Sequence, residues 1–146
     1  MDEYSLDRFV TAQNIGGDFE RAASELRNGR KTSHWMWYVF PQVAGLGYSA
    51  MAQRYAISSL AEAQAYLAHP VLGARLVEVC TILLGLDSRS ATAVFGSIDA
   101  QKLRSSMTLF DRAHGAASGT EHKSVFRRVR DAYFAGETDE ATLDRL

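Results

Sequence analysis

The chain has 146 residues, a length that fits one domain of the usual size of roughly 100–150 residues. Hydrophobic residues make up 47% of it, enough to bury a core without staples, and the single cysteine, Cys80, excludes an internal disulfide framework. A formal charge of -1 argues against a protein whose main task is coating nucleic acid.

The opening residues, Met1-Asp2-Glu3-Tyr4, are acidic and carry no apolar stretch of the signal-peptide kind. No apolar run approaches the roughly 20 residues that span a bilayer. The expectation is a soluble, cytoplasmic protein with no membrane contact. Ser5 or Asp7 can cap a first helix through about Gln13, with Leu6, Phe9 and Val10 as its apolar stripe. Asn14-Ile15-Gly16-Gly17 breaks it, and Asp18 caps a second helix, Phe19 to Asn28, closed by Gly29.

The run Ser33-His34-Trp35-Met36-Trp37-Tyr38-Val39-Phe40-Pro41-Gln42 follows and holds both tryptophans. Pro41 pushes Phe40 away from helical geometry, so the run is expected to be extended. Trp35, Trp37 and Val39 would then share one face, and His34, Met36, Tyr38 and Phe40 the other. Gly45-Leu46-Gly47 makes the turn after it. Ser49 opens a short helix, Ala50 to Tyr55, and Ser59 with Glu62 forms a capping box for a helix through Leu67. His69 reads as a helix-junction residue, and Pro70 opens Val71 to about Leu86, apolar on nearly all sides and expected at the centre of the core.

A short turn of helix, Ala91 to Phe95, ends at Gly96. Asp99 caps Ala100 to about His114, with Leu103, Met107, Phe110 and Ala113 inward, and a small-residue loop is expected from Gly115. Thr120 caps a helix through Phe134, and Thr138 caps a last one, Asp139 to Leu146. With about seven or eight helices and almost no alternating pattern, the chain is expected to be all-α. The expectation is a compact single-domain bundle over residues 1–146, around a central apolar helix, with the aromatic segment extended after the second helix.

Candidate site residues cluster in two places. In the aromatic run, Trp35, Trp37 and Tyr38 offer stacking surface, while Lys31, Ser33, His34 and Gln42 add polar contacts, the mixture typical of ligand clefts. The alternative is that the aromatics plug the core. His34 is the candidate for proton transfer, since an imidazole titrates near neutrality, although a structural role bonding a carbonyl competes with it. Asp99, Lys102, Ser105 and Ser106 lie three or four apart near a helix start, where lysine and hydroxyls can hold an anion. An i,i+3 salt bridge on a solvated face is the competing account. Lys123, Arg127, Arg128 and Arg130 form a basic stripe read as solvated rather than as a nucleic-acid surface. No metal is expected, because His114 and His122 lack ligand spacing and Cys80 sits in an apolar helix, and no cofactor motif is present.

The phrase Lys31 to Gln42 followed by Gly45-Leu46-Gly47-Tyr48-Ser49 resembles the hallmark of the domain of unknown function 1810 family. So do Tyr66 to Leu76, Phe95-Gly96 with Asp99 and Lys102, Ser105 to Phe110, and Asp139 with Thr142-Leu143. The resemblance covers nearly the whole chain and implies a compact, mostly helical single domain with no established activity. Some members carry the label calpastatin, but that disordered inhibitor has the opposite composition.

Two functions fit these residues. The first is a small-molecule-binding protein whose polar-aromatic pocket takes a planar or anionic, nucleotide-like ligand. The second is a non-catalytic interaction module, or a homodimer, using the same aromatic segment.

Overall fold

Apolar residues spaced three and four apart need a neighbouring surface to cover them, and here helices cover one another. The computed structural model describes residues 2–87, 89–118 and 124–146, and the side chains of all of these except 116–118. Thr120, His122 and Lys123, named above as a cap, a histidine and part of a basic stripe, lie outside the described residues.

Helix α1 spans Asp7–Asn14, a 3-10 turn covers Ile15–Gly17, and α2 spans Asp18–Arg27. The single turn α3 is Met36–Val39, followed by α4 (Ala50–Arg54), α5 (Leu60–Ala68), α6 (Leu72–Leu84) and α7 (Ala91–Phe95). The longest helix, α8, is Ser97–Ser118, and α9 (Val125–Phe134) and α10 (Glu140–Leu143) follow. Among the described residues there is no strand, only one parallel bridge between Val43 and Ile57. The fold is all-α and compact. No single helix among the described residues is long and apolar enough to cross a membrane.

Serines start these helices. Ser49, Ser59, Ser90 and Ser124 each accept an N–H three residues on, all at 3.1 Å, and such caps contribute about 1 kcal/mol apiece. The capping box at Ser59 is only half formed. Glu62 turns instead to the N–H and hydroxyl of Ser58, 2.9 and 2.7 Å away, and to Arg8 at 3.0 Å. His69 joins α5 to α6, its Nδ1 accepting the N–H groups of Val71 and Leu72 at 3.1 and 3.2 Å. At the other end of the chain Ser124 begins α9, and Asp139 occupies the cap position of α10.

Helix α8 corrects two boundaries. It starts at Ser97, ahead of Asp99, and it runs on through Gly115 to Ser118 where a loop was expected. One glycine costs a helix only about 1 kcal/mol, and Ala116 and Ala117 beside it are the best helix formers.

Helices α5, α7, α9 and α10 pack around α8, so Leu109, Ser105, Ser106 and Thr108 are buried along with the expected stripe of Leu103, Met107, Phe110 and Ala113. Helix α6 packs on α2, α5 and α9 through Leu72, Leu76, Val79, Cys80 and Leu83. Its outer side leaves Val77 43% exposed. Cys80 Sγ meets Met107 Sδ at 3.7 Å, and complete burial pushes the thiol pKa up, so it is an inert packing group.

Candidate functional site

The aromatic run is held by a carboxylate. Glu25, in the last turn of α2, accepts the backbone N–H groups of Thr32 and Ser33 at 2.8 and 2.9 Å. It also accepts the Ser33 hydroxyl at 2.6 Å and the Trp35 indole N–H at 3.0 Å. Partial burial would raise its pKa, but these donors outweigh burial and hold it down at about 2. They fix the strap that leads into the run. Ser33 is thereby committed to Glu25, and Trp35, 1% exposed, plugs the core against Phe40 and Phe95.

The run is not extended throughout. Met36–Val39 form one helical turn, with Val39 N–H donating to Trp35 O at 3.2 Å and Phe40 N–H to Met36 O at 3.1 Å. Pro41 restricts only the residue before it, and Phe40 (φ -126°, ψ 75°) does leave the helix there. The two-face division expected for an extended chain is therefore replaced by a helical one. Trp35, Met36, Tyr38, Val39 and Phe40 are buried, and Trp37 stands half-buried on the outer side. Tyr38 donates its hydroxyl to Asp18 at the start of α2, and burial, reinforced by that carboxylate, raises its pKa.

Two lysines lie over the two indoles. Lys31 Nζ sits 5.0 Å from the Trp35 ring centre and Lys102 Nζ 5.1 Å from that of Trp37. Asp99 joins them, 2.8 Å from Lys31 and 3.5 Å from Lys102. Lys31 also donates to the Ser33 carbonyl at 2.5 Å, and its side chain is only 8% exposed. Its charge is spent inside the structure and is not free for an anion. Lys102 is the cation that reaches the surface, and the i,i+3 bridge considered from the sequence is real but long.

Lys102 and Trp37 stand on the wall of a cleft of about 540 Å3. Three segments build it: the aromatic turn with Trp37 and Gln42, the loop and helix from Leu46 to Ala52, and the first turns of α8 with Ser97, Ile98 and Gln101. Gly47 allows the loop to lie on α4, since a Cβ there would come 2.7 Å from that of Ala52. Tyr48, 85% exposed, and Ile98, 74% exposed, form an apolar rim. Gln101 is steadied from behind by Asp139, 3.1 Å away. A larger hollow, about 650 Å3, lies by Asp2, Glu3 and Asp7, whose carboxylates make it a poor place for an anion.

Of the residues proposed from the sequence, the fold brings Trp37, Gln42 and Lys102 to the cleft. Lys31, Ser33, Trp35, Tyr38 and Asp99 form the scaffold behind it. Ser106 is corrected: it is fully buried in the centre of the fold, and its hydroxyl has no partner among the described residues. Ser105 faces α10 and donates to Asp139 at 2.8 Å. His34 is exposed and lines none of the described cavities, and among the described residues its one hydrogen bond is at its carbonyl, from the Tyr38 hydroxyl at 3.4 Å. The basic stripe is split, for Arg127 and Arg128 are exposed while Arg130 is buried against Asp111 at 3.1 Å. No group of three or more His, Cys, Asp or Glu among the described residues is placed to hold a metal ion.

Sequence reasoning missed Glu25, which looks like any polar residue of an amphipathic helix. It also missed the far wall of the cleft, Leu46, Ser97, Ile98 and Gln101. Tyr48 was within the family-like phrase, but its 85% exposure is seen only in the fold.

The family described as "Protein of unknown function (DUF1810)" matches residues 3–146. The chain is also similar to a solved structure, the conserved hypothetical protein Rv1873 from Mycobacterium tuberculosis, with 46% sequence identity and a TM-score of 0.90. That similarity covers 99% of this chain and 98% of the mycobacterial one. No curated protein matches the chain.

Proposed function

The chain belongs to the DUF1810 family, and from its own side chains we propose that it binds a small planar, anionic ligand in the cleft between the aromatic turn and the start of α8. The observation that carries this reading is the pairing of the half-buried Trp37 face with the Lys102 ammonium on one wall of a cleft of about 540 Å3. That volume lies in the range of about 300–1,000 Å3 usual for ligand pockets. A planar ring can stack on Trp37, an anionic group can meet Lys102, and Gln42, Ser97 and Gln101 supply hydrogen bonds that orient it. Stacking of a base on an aromatic side chain contributes about 1–3 kcal/mol. Proton transfer by His34 lies outside this reading, because among the described residues no carboxylate or hydroxyl is hydrogen-bonded to its imidazole; the Tyr38 hydroxyl reaches only its carbonyl. The setting proposed is the cytoplasm, which a single buried cysteine fits.

The test is a thermal-shift screen of the wild type against nucleotides, phosphorylated metabolites and aromatic amino acids. A ligand at about 100 times its Kd adds roughly 2.7 kcal/mol of stability. The reading expects at least one compound to raise Tm and expects Trp37→Ala and Lys102→Met each to abolish the shift. A screen in which nothing raises Tm would sink it.

Tyr48 and Ile98 favour a second reading. Large apolar side chains standing this exposed beside a cleft are also what a protein partner, or a second copy, would bury. Light scattering across a concentration series distinguishes it, since self-association would raise the mass of the wild type and Tyr48→Asp would reverse the rise.

A further inference from the structure

The geometry points to a second, separate binding site, for a phosphate dianion, in an arginine-lined hollow between α8, the start of α9 and the segment leading into α10. The hollow measures about 200 Å3, and Arg112, Arg127, Arg130 and Asp111 supply its charges. Arg112 comes from α8 and the other two arginines from α9, helices packed directly on one another, so the guanidinium groups converge from a rigid pair.

Arg130 is the fixed member. Its side chain is 8% exposed and its Nη1 donates to Asp111 Oδ2 at 3.1 Å, yet its buried Nε has no acceptor among the described residues. A buried guanidinium N–H left without a partner is costly, and an anion oxygen would satisfy it. Asp111 is shared, for its Oδ1 also accepts the Ser124 hydroxyl at 2.6 Å. Arg112 and Arg127 are exposed and have no ion-pair partner among the described residues. Among the described residues that line it, one carboxylate faces three guanidiniums.

The sequence of α9 agrees. Its first turn holds no acidic residue and places Arg127 and Arg128 at the positive end of the helix dipole, where cations are disfavoured. A local conflict of this kind is expected at a functional site, and a bound anion resolves it. The hydroxyls nearby are occupied: Thr108 donates to the Arg104 carbonyl at 2.8 Å and accepts the Asp139 N–H at 3.0 Å, and Thr138 faces Glu140 at 3.1 Å. Recognition therefore falls to the arginines. Their planar forks match phosphate oxygens, and a phosphate monoester brings a charge close to -2 with three acceptor oxygens, roughly the balance the hollow lacks. The site is independent of the cleft. Lys102 and Arg112 are about 15 Å apart along α8, at roughly 1.5 Å per residue, and the two hollows share no lining residue.

Isothermal titration calorimetry with inorganic phosphate and with glycerol phosphate, at fixed ionic strength, tests this. Saturable one-to-one binding to the wild type is expected. Arg112→Gln and Arg127→Gln, both at exposed positions and checked for an unchanged melting curve, should each weaken it by about tenfold, and the double variant should abolish it. Lys102→Met should leave it unchanged, which keeps this result apart from the fate of the cleft. Preference for glycerol phosphate would mark a phosphate group on a larger ligand, and preference for inorganic phosphate the free ion; either supports the site. The proposal is overturned by no saturable binding to the wild type, by binding that survives in the double variant, or by acetate binding as tightly as phosphate.

Discussion

Glu25 shows how one side chain sets the position of all the aromatic surface that follows it. Its donors favour the ionised form, so the sign of its effect on stability is fixed. The carboxyl titrates near 4.5 when free and at about 2 in the folded chain. The stabilisation is therefore complete above about pH 4.5 and is lost as pH falls through 2. Glu25→Gln should destabilise the protein at pH 7 by about 1–2 kcal/mol, the lower part of the range applying because the carboxylate is partly exposed. In urea unfolding at pH 7, 4 and 3, the gap between wild type and variant should narrow in acid; a gap independent of pH would contradict this account. None of it was legible in the sequence. Glu25 lies beside the apolar stripe of Phe19, Ala22, Ala23 and Leu26, and three of its four donors belong to a strap whose direction no local pattern encodes. Trp37 and Lys102, by contrast, announced themselves by residue type, though only the fold shows that they meet.

At the scale of elements, the apolar stripes were the clearest signal, and caps were a mixed one. Ser49 and Ser59 cap helices as expected, and the stripes of α2 and α8 are buried as their spacing requires. Ser90 and Ser124 are caps the sequence reading did not name, and Gly17 rather than Asp18 takes the cap position of α2. Helix ends were misread where tertiary packing overrode a weak local signal, as at Gly115 and in the turn Met36–Val39. Two glycines give opposite predictions. A Cβ on Gly73 would fall 2.1 Å from the Leu67 carbonyl oxygen, where α5 meets α6. Gly73→Ala should therefore cost about 3 kcal/mol through forced backbone displacement. At Gly115 nothing among the described residues lies within 4 Å of the added atom, and the residue is helical. Gly115→Ala should raise stability by about 0.5–1 kcal/mol through helix propensity and a less flexible unfolded chain. Paired thermal melts check both, and equal Tm changes of the same sign would refute the distinction.

Across the whole molecule, α8 is the spine that connects the parts. Its first turns line the cleft, its middle passes through the core, and its later turns carry Arg112 and the carboxylate that holds Arg130. The C-terminal segment is clamped to it by Asp139, which accepts from Ser105 at 2.8 Å and Thr142 at 2.6 Å and also binds Gln101 at 3.1 Å. Asp139→Ala would leave the buried Thr142 hydroxyl without this acceptor and Ser105 with only its 3.2 Å bond to the Gln101 carbonyl. A loss of about 3 kcal/mol is expected, together with a loosened Gln101 wall and weaker cleft binding. An Asp139→Ala protein that melts like the wild type would show that the clamp contributes nothing. This long-range assembly is what periodicity could not reveal. The stripes say which face of a helix is covered, but not which helix covers it.

The cleft itself is tested most directly by nuclear magnetic resonance. The two tryptophans give two indole N–H resonances, one from Trp35, locked on Glu25 inside the core, and one from Trp37 on the cleft wall. During titration with a compound that raises Tm, adenosine monophosphate being the first to try, the Trp37 resonance should shift to saturation. The Trp35 resonance should stay in place, and Lys102→Met should remove the effect. Raised Tm with both indoles unmoved, or with Trp35 moving instead, would contradict the assignment of the cleft as the binding site.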